Sequence, residues 1–265
     1  MYNNNQIKVS ERDNLMEIEY RKHYSAFLDR EMEYKVYGHS GKPVIFIPCQ
    51  CGRFFDFENF HMLDHWAKWI EAGECMVYSI DCIDGEAWAA FDQAPRRRIE
   101  MHERWYNYIV EELVPVIQAA GGRKDILPFG CSLGAMHAAN LFFRRPDLFD
   151  SVFAMSGLYD SEEFFGSYMD DLVYNNCPVT YLANMPCDHP YLAAYAQRKM
   201  IFTVGQGAWE GPLLESTRKL DTVCAQKGIP AQFHYWGFDV SHDWCWWFRM
   251  VELYVPQLLG LEGAI

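Results

Sequence analysis

The segment of this sequence most suggestive of chemistry is GCSLG at residues 130–134, where a serine lies between two glycines. A short apolar run precedes it and a helical pattern follows it, so Ser132 is expected at a sharp turn from strand to helix. Such a turn holds its central residue in a strained conformation and exposes the hydroxyl above the sheet. The start of the following helix also favours a developing anion. The segment therefore predicts a serine nucleophile.

A serine hydroxyl needs a base to take up its proton and an acid to orient that base. The best candidate for the base is His242, in the segment 237–244 between the last predicted strand and the last predicted helix. His137 lies inside the helix after the serine and is expected to pack there. His61 and His65 have the spacing of a zinc pair on one helical face, but no intervening glutamate and no third ligand accompany them. They are expected to be structural, and no metal site is predicted.

The acid is less sharply defined by the sequence. Glu210 lies in a glycine-rich loop, residues 205–212, that follows a predicted strand. One helix and one strand separate it from His242, which would bring both loops to the same edge of the sheet. Asp160, after the preceding strand, is the alternative, whereas Asp239 and Asp243 are too close to the histidine in sequence to orient it from behind. As a purely structural residue, Glu210 would be an acidic charge at a helix start.

The oxyanion of a tetrahedral intermediate needs two backbone donors. One is expected from Leu133, the residue after the nucleophile, and the other from the loop after the third strand. In that loop Cys51 is the preferred donor, with Gln50 or Gly52 as alternatives. Cys49 and Cys51 form a Cys-x-Cys pair with no second pair to match it, which is weak evidence for a metal. Cys131 is not expected to be the nucleophile because its side chain lies before the apex of the turn.

The elements around these residues predict an α/β fold: a mostly parallel, doubly wound sheet with antiparallel N-terminal strands and helices on both faces. One domain is expected over residues 1–265. Residues 160–199 interrupt the alternation and are expected to form a small excursion over the site. The predicted strands are 17–24, 30–37, 43–48, 76–80, 126–129, 151–155, 201–204 and 232–236, and the predicted helices are 99–118, ending at Gly121-Gly122, 133–145, 213–226 and 244–259.

Composition and charge limit the partners of the chain. The formal net charge of −13 argues against nucleic acid, because a phosphate backbone would be repelled. No run is long enough to span a membrane, and the polar, asparagine-rich N-terminus lacks the apolar region of a secretory signal. Nine cysteines at irregular spacing are typical of reduced thiols. A cytoplasmic location is therefore expected, and a homo-oligomer is left open.

Four segments together resemble a known family. They are Arg53-Phe54-Phe55, GCSLG with residues 135–140 after it, residues 205–210, and residues 239–244. They look like the esterase branch of the α/β-hydrolases that is similar to esterase D and the mycolyltransferases, and the resemblance extends from about Tyr34 to Leu259. It implies the α/β-hydrolase fold and a serine esterase that uses Ser132, Glu210 and His242 without a cofactor. Cys49-Gln50-Cys51 departs from the small, glycine-rich oxyanion loop expected there.

The leading hypothesis is a carboxylic-ester hydrolase that acts on a small-molecule ester through an acyl-enzyme. Trp209 and Trp244 flank the proposed acid and base, where they would line an apolar or aromatic pocket or simply close the core. An acyltransferase or a thioesterase would use the same triad, and the sequence does not separate them. A third hypothesis, from a different class, is a hydrolase fold without activity that serves as a binding module.

Overall fold

The computed structural model describes residues 16–121 and 123–261. The polar segment before residue 16 and Gly122 lie outside this range. The strands are β1 Ile18–Ser25, β2 Arg30–Tyr37, β3 Lys42–Ile47, β4 Cys75–Ile80, β5 Leu127–Cys131, β6 Ser151–Met155, β7 Lys199–Val204 and β8 Gln232–Tyr235. The helices are α1 Asp56–Asn59, α2 Met62–Glu71, α3 Pro95–Asn107, α4 Val114–Gly121, α5 Leu133–Arg144, α6 Glu162–Phe165, α7 Asp171–Asn175, α8 Pro178–Asn184, α9 Pro190–Tyr195, α10 Gly211–Lys227 and α11 Trp244–Leu259.

The strands form one sheet in the order β1-β2-β4-β3-β5-β6-β7-β8. The pairs β1–β2 and β2–β4 are antiparallel, and every later pair is parallel. Residues of β1 alternate between exposed and half-buried up to its last residue, whereas β3 to β6 are buried throughout. This difference is expected because a parallel sheet is covered by helices on both faces. The predicted fold class is confirmed.

Two hydrophobic cores lie on opposite faces of the sheet. Side chains of a strand alternate between its faces, so Ile45 and Ile47 of β3 belong to one core while Val44 and Phe46 belong to the other. The first core also contains buried residues of α3, α5 and α10, and the second those of α2 and α11. The sheet is therefore covered on both sides, and the loops at the carboxyl ends of its parallel strands are left to form a site.

One predicted helix differs from its observed form. The pattern predicts a single helix over 99–118, whereas the structure has α3, a π-helical segment Tyr108–Leu113 and then α4. In the π segment, the three consecutive residues Tyr108, Ile109 and Val110 are all buried. The apolar spacing therefore predicts the helical region but not this wider turn.

The segment between β6 and β7 forms the four short helices α6 to α9. It packs against α3, α5 and α10 rather than forming a core of its own. Phe164, Phe165, Val173 and Tyr195 from this segment belong to the same hydrophobic core as α5. Its expected position over the site stays a prediction.

Candidate active site

Ser132 occupies the turn between β5 and α5, as its sequence context predicts. Its backbone has φ 58° and ψ −127°, a conformation that a residue with a side chain rarely adopts. The Ser132 N–H donates to the Met155 carbonyl of β6 at 2.9 Å, which helps to hold this strained residue in place. Strain of this kind persists only where the surrounding structure maintains it, and it is concentrated at functional sites.

The two glycines of the motif are required by close packing around the turn. A Cβ on Gly134 would lie 2.3 Å from the carbonyl oxygens of Ile47 and Pro48, and a Cβ on Gly130 would lie 2.5 Å from the backbone of Gly134. These neighbours are backbone atoms, which cannot move aside as a flexible side chain can. The glycines therefore let β3, β5 and the start of α5 approach one another closely.

His242 lies next to the serine in the structure. It lies in the segment that joins β8 to α11, just before the helix N-cap Asp243, and its Nε2 is 3.0 Å from the Ser132 Oγ. The edge of the Trp247 ring packs against the imidazole, with ring centroids 4.9 Å apart and planes at 89°. The distance from Oγ to Nε2 is that of a hydrogen bond, so the imidazole is positioned to accept the hydroxyl proton.

Glu210 is fully buried on the other side of the imidazole. Its Oε2 lies 3.6 Å from the His242 Nδ1, close enough for an ion pair but longer than an ordinary hydrogen bond. Neither atom has a hydrogen-bond partner among the described residues. In structures without substrate, contacts of this kind are often long and shorten in the reacting complex.

Ser156 holds the other oxygen of this carboxylate, a contact that the sequence does not indicate. Its Oγ donates to the Glu210 Oε1 at 2.6 Å and accepts a hydrogen bond from the Trp247 Nε1 at 3.1 Å. Ser156 directly follows β6 and has a positive φ of 52°. The only indication of this role in the sequence is that Ser156 directly follows a predicted strand. Asp160, the alternative acid, instead contacts Ser216 and Lys219.

The loops that carry Glu210 and His242 are joined through their backbones. The Gly207 N–H donates to the Val240 carbonyl at 2.8 Å, and the His242 N–H donates to the Ala208 carbonyl at 3.0 Å. A Cβ on Gly205 would lie 2.2 Å from the Val240 carbonyl oxygen, so the contact depends on a residue without a side chain. This approach explains the glycines at positions 205 and 207, since a Cβ on Gly207 would also lie 2.7 Å from the Val240 carbonyl oxygen.

The loop after β3, which we call the oxyanion loop (residues 49–53), differs from the expectation in one contact. The Cys51 N–H, the preferred second donor, donates to the Asp84 Oδ2 at 3.2 Å, and the Gly52 N–H donates to the Cys49 carbonyl at 2.8 Å. Among the described residues, the N–H groups of Gln50 and Leu133 have no acceptor. Cys51 is therefore already engaged, whereas Gln50 and Leu133 are free to donate.

Two tryptophans expected to line a pocket have different environments. Trp209 is 84% exposed and has a positive φ of 68°. Trp244 is half-buried and stacks on Phe60, with ring centroids 4.7 Å apart and planes at 5°. Trp244 also packs against Trp247, which contacts the His242 ring. Trp209 is thus available to a ligand, while Trp244 supports the histidine loop.

The remaining reactive side chains have contacts of their own. His61 pairs with Asp64 at 3.1 Å, and His65 pairs with Glu252 at 2.7 Å. Burial and a hydrogen bond with Cys49 raise the pKa of the Cys131 thiol well above its usual value, which disfavours the reactive thiolate. Over residues 16–121 and 123–261, no cluster of three or more histidine, cysteine or acidic residues has a geometry that would hold a metal ion. In that same range, no helix combines the length and apolar character needed to cross a bilayer.

Comparison with solved structures supports the fold. The chain superimposes on a ferulic acid esterase with a TM-score of 0.72 and 16% identity, covering 93% of this chain and 99% of the other. An S-formylglutathione hydrolase from Staphylococcus aureus gives a TM-score of 0.68 and 14% identity over 95% and 100% of the two chains. MPT51 from Mycobacterium tuberculosis gives 0.60 and 13%, over 95% and 99%. At these identities the likeness establishes the α/β-hydrolase fold.

Sequence comparison identifies the family. No curated protein matches the chain in sequence. The model of the family described as "Putative esterase" matches residues 21–251, which is most of the chain and includes Ser132, Glu210 and His242. The match agrees with the family that the sequence motifs resemble. The chain therefore belongs to this esterase family of the α/β-hydrolase superfamily and is an ester hydrolase.

Proposed function

We propose that the protein is a serine carboxylic-ester hydrolase that acts on a small-molecule ester through an acyl-enzyme. The observation that carries the proposal is the 3.0 Å contact between the Ser132 Oγ and the His242 Nε2, with the serine in a strained turn at a helix start. A serine so placed is exposed to substrate and activated by a neighbouring base.

In the proposed first half-reaction, the Ser132 Oγ attacks the ester carbonyl carbon and His242 accepts the hydroxyl proton. Glu210 holds the imidazole from behind and stabilises its positive charge. The tetrahedral oxyanion accepts hydrogen bonds from the N–H groups of Leu133 and Gln50. We place Gln50 here instead of Cys51 because the Cys51 N–H already donates to a carboxylate. His242 then gives the proton to the departing alcohol, and an ester of Ser132 remains.

In the second half-reaction, His242 takes a proton from water, and the water oxygen attacks the acyl carbon. Collapse of the second tetrahedral intermediate breaks the bond to the serine oxygen, which recovers a proton from His242. The products are one carboxylic acid and the free enzyme. No step requires a cofactor.

The substrate-binding residues remain a proposal. Trp209 is proposed to contact the substrate directly, because its exposed indole lies next to the acid in sequence. Trp244 is proposed to shape the pocket through its contact with Phe60 and Trp247. Both would favour an apolar or aromatic group on the ester.

The cellular location, the domain organisation and the exclusion of nucleic acid are also proposals. The nine cysteines are all unpaired, which supports a reducing compartment such as the cytoplasm. Packing of the α6–α9 segment against α3, α5 and α10 supports a single domain. The net charge of −13 supports the exclusion of nucleic acid as a partner.

Hydrolysis of para-nitrophenyl acetate tests the proposal, with product partitioning as a second readout. We expect a burst of para-nitrophenol as the acyl-enzyme forms, then steady turnover that is lost in a folded Ser132→Ala variant. Added methanol separates hydrolysis from acyl transfer: an esterase gives mostly acetate, whereas an acyltransferase gives mostly the methyl ester. Absence of both burst and turnover across acetyl, thioacetyl and aromatic esters would instead indicate a silent binding module.

A further inference from the structure

Asp84 is a buried carboxylate close to the active site that the proposed reaction does not use. It begins a short 3-10 turn, Asp84–Glu86, beyond the end of β4 and is 2% exposed. Its Oδ2 accepts the Cys51 N–H at 3.2 Å, and its Oδ1 lies 2.8 Å from the His137 Nε2. Burial of a carboxylate is unfavourable unless it is hydrogen-bonded, so both contacts are needed to hold it there.

The hydrogen bond from the Cys51 N–H to Asp84 is made at the strained residue of the oxyanion loop. Cys51 has a φ of 58°, which is unfavourable for any residue with a side chain. The far end of the loop is held separately, because Asp81 accepts hydrogen bonds from the Arg53 Nε and the Phe54 N–H, both at 2.8 Å. Asp84 therefore acts at the apex of the loop, next to the free N–H of Gln50.

The second contact ties the same carboxylate to the nucleophile helix. His137 lies in the second turn of α5, is 1% exposed and packs against the rings of His102 and Trp105, each with a centroid separation of 5.0 Å. Burial, together with the neighbouring His137, lowers the pKa of His102 well below its usual value, so this contact is with a neutral ring. His137 is thus a fixed point on the helix that begins at Leu133.

The turn that carries Asp84 is itself anchored. Its backbone carbonyl accepts the N–H groups of Ala87 and Ala89 at 3.1 and 2.8 Å. The buried guanidinium of Arg98 from α3 donates to the carbonyl oxygens of Ala87 and Trp88. The carboxylate is therefore presented to the oxyanion loop and to α5 from a rigid base, as expected of a group that positions others.

We propose that Asp84 is a positioning residue for the oxyanion hole, fixing the loop that carries the Gln50 N–H relative to the helix that carries the Leu133 N–H. The inference rests on the proposed function, since the two donors matter only if Ser132 forms a tetrahedral intermediate. Displacement of one donor by about 1 Å is sufficient to lower turnover about 100-fold. Asp84 contacts neither the nucleophile nor the base.

The test combines steady-state kinetics with a probe of the oxyanion hole. Benzyl trifluoromethyl ketone is suitable because the Ser132 Oγ adds to its carbonyl carbon, His242 takes the proton and the ketone oxygen becomes an oxyanion. For Asp84→Ala we expect kcat on para-nitrophenyl acetate to fall about 100-fold, KM to change less than about threefold, and the inhibition constant of the ketone to rise in parallel with the loss of kcat. Asp84→Asn, which can keep both contacts, should recover most of the activity.

A matched control separates positioning from stability. Asp150 pairs with the buried Lys42 at 2.8 Å just before β6, at the end of the strand away from the site. Asp150→Ala should lower the unfolding temperature without changing kcat or ketone affinity. If Asp84→Ala does not fold, His137→Phe removes one partner of the carboxylate while keeping a ring, and should lower kcat and ketone affinity together by about tenfold.

The outcomes distinguish the two proposals. A folded Asp84→Ala or His137→Phe that keeps wild-type kcat and ketone affinity would overturn the positioning role, while the esterase proposal would stand. Parallel losses in both quantities would support it. A wild-type protein that neither hydrolyses the ester nor binds the ketone would overturn the proposed function itself.

Discussion

Two regions flank Ser132, and they are held in place in different ways. On one side, the loops after β7 and β8 are joined by backbone hydrogen bonds such as Gly207 N–H to Val240 and His242 N–H to Ala208. On the other side, the oxyanion loop is held by side chains that follow β4: Asp84 accepts the Cys51 N–H, Asp81 accepts the Arg53 Nε–H, and the Cys82 thiol donates to the Gly52 carbonyl at 3.0 Å. The loops that carry Glu210 and His242 are therefore expected to keep their conformation when side chains change, unless the backbones are pushed apart. The conformation of the oxyanion loop depends instead on side-chain contacts, of which the Asp84 carboxylate holds the N–H at the apex.

The largest effect on the acid–base side is expected from Glu210→Gln. The new amide N–H₂ group would face the His242 Nδ1 and favour the tautomer whose proton lies on Nε2, where it cannot accept the serine proton. We expect kcat on para-nitrophenyl acetate to fall about 10³- to 10⁴-fold with little change in KM. A loss smaller than about tenfold in a folded variant would show that Glu210 does not orient the base.

Gly207→Ala tests the backbone junction between the two loops. A Cβ at this position would lie 2.7 Å from the Val240 carbonyl oxygen, so the loops must separate. We expect kcat to fall about 10- to 100-fold because the histidine is displaced from the serine. Gly211→Ala is the matched control, since no atom lies within 4 Å of its added Cβ and its activity should be retained. Equal kinetics for the two variants would contradict the junction's role.

Ser156→Ala tests the support of the acid. It removes the hydroxyl that donates to the buried Glu210 carboxylate and leaves Oε1 unsatisfied. We expect about a tenfold fall in kcat and a loss of about 1–3 kcal/mol in the free energy of unfolding, measured by urea denaturation. Ser151→Ala, at the opposite end of the same strand, should keep full activity. Unchanged stability in Ser156→Ala would mean that the carboxylate has another partner.

The smallest effect is expected from Trp209→Ala, at the exposed position next to Glu210 in sequence. The indole is 84% exposed, so its removal should not change the unfolding temperature. If the ring contacts substrate, KM for an aromatic ester should rise a few-fold while KM for the acetate stays nearly constant. Equal changes for the two esters would argue against a direct contact with the aromatic group.

The sequence predicts much of the fold and the contact between Ser132 and His242 for physical reasons. Ser132 is recognisable because it lies directly after β5 and directly before α5, and His242 because it lies in the segment that joins β8 to α11. Alternating and continuous apolar runs likewise mark the antiparallel and parallel strands. These patterns involve residues that are close together in the chain, so they can be recognised from the sequence alone.

The contacts that the sequence does not predict are made between elements. Ser156 supports Glu210 only because β6 and β7 are neighbours, and Asp84 reaches Cys51 only because β3 and β4 are paired. The hydrogen bond from the Cys51 N–H to Asp84 is invisible in the sequence for the same reason. The apolar spacing over 99–118 likewise predicts a helix but does not reveal its π-helical segment.

Labelling with a fluorophosphonate is the decisive test of whether the Ser132 hydroxyl is an activated nucleophile. The reagent transfers its phosphonyl group to an activated serine with loss of fluoride. Peptide mass spectrometry should then locate a single adduct on Ser132, and labelling should disappear in Ser132→Ala and slow strongly in His242→Ala. An adduct on another residue, or labelling that persists in folded Ser132→Ala, would contradict the account.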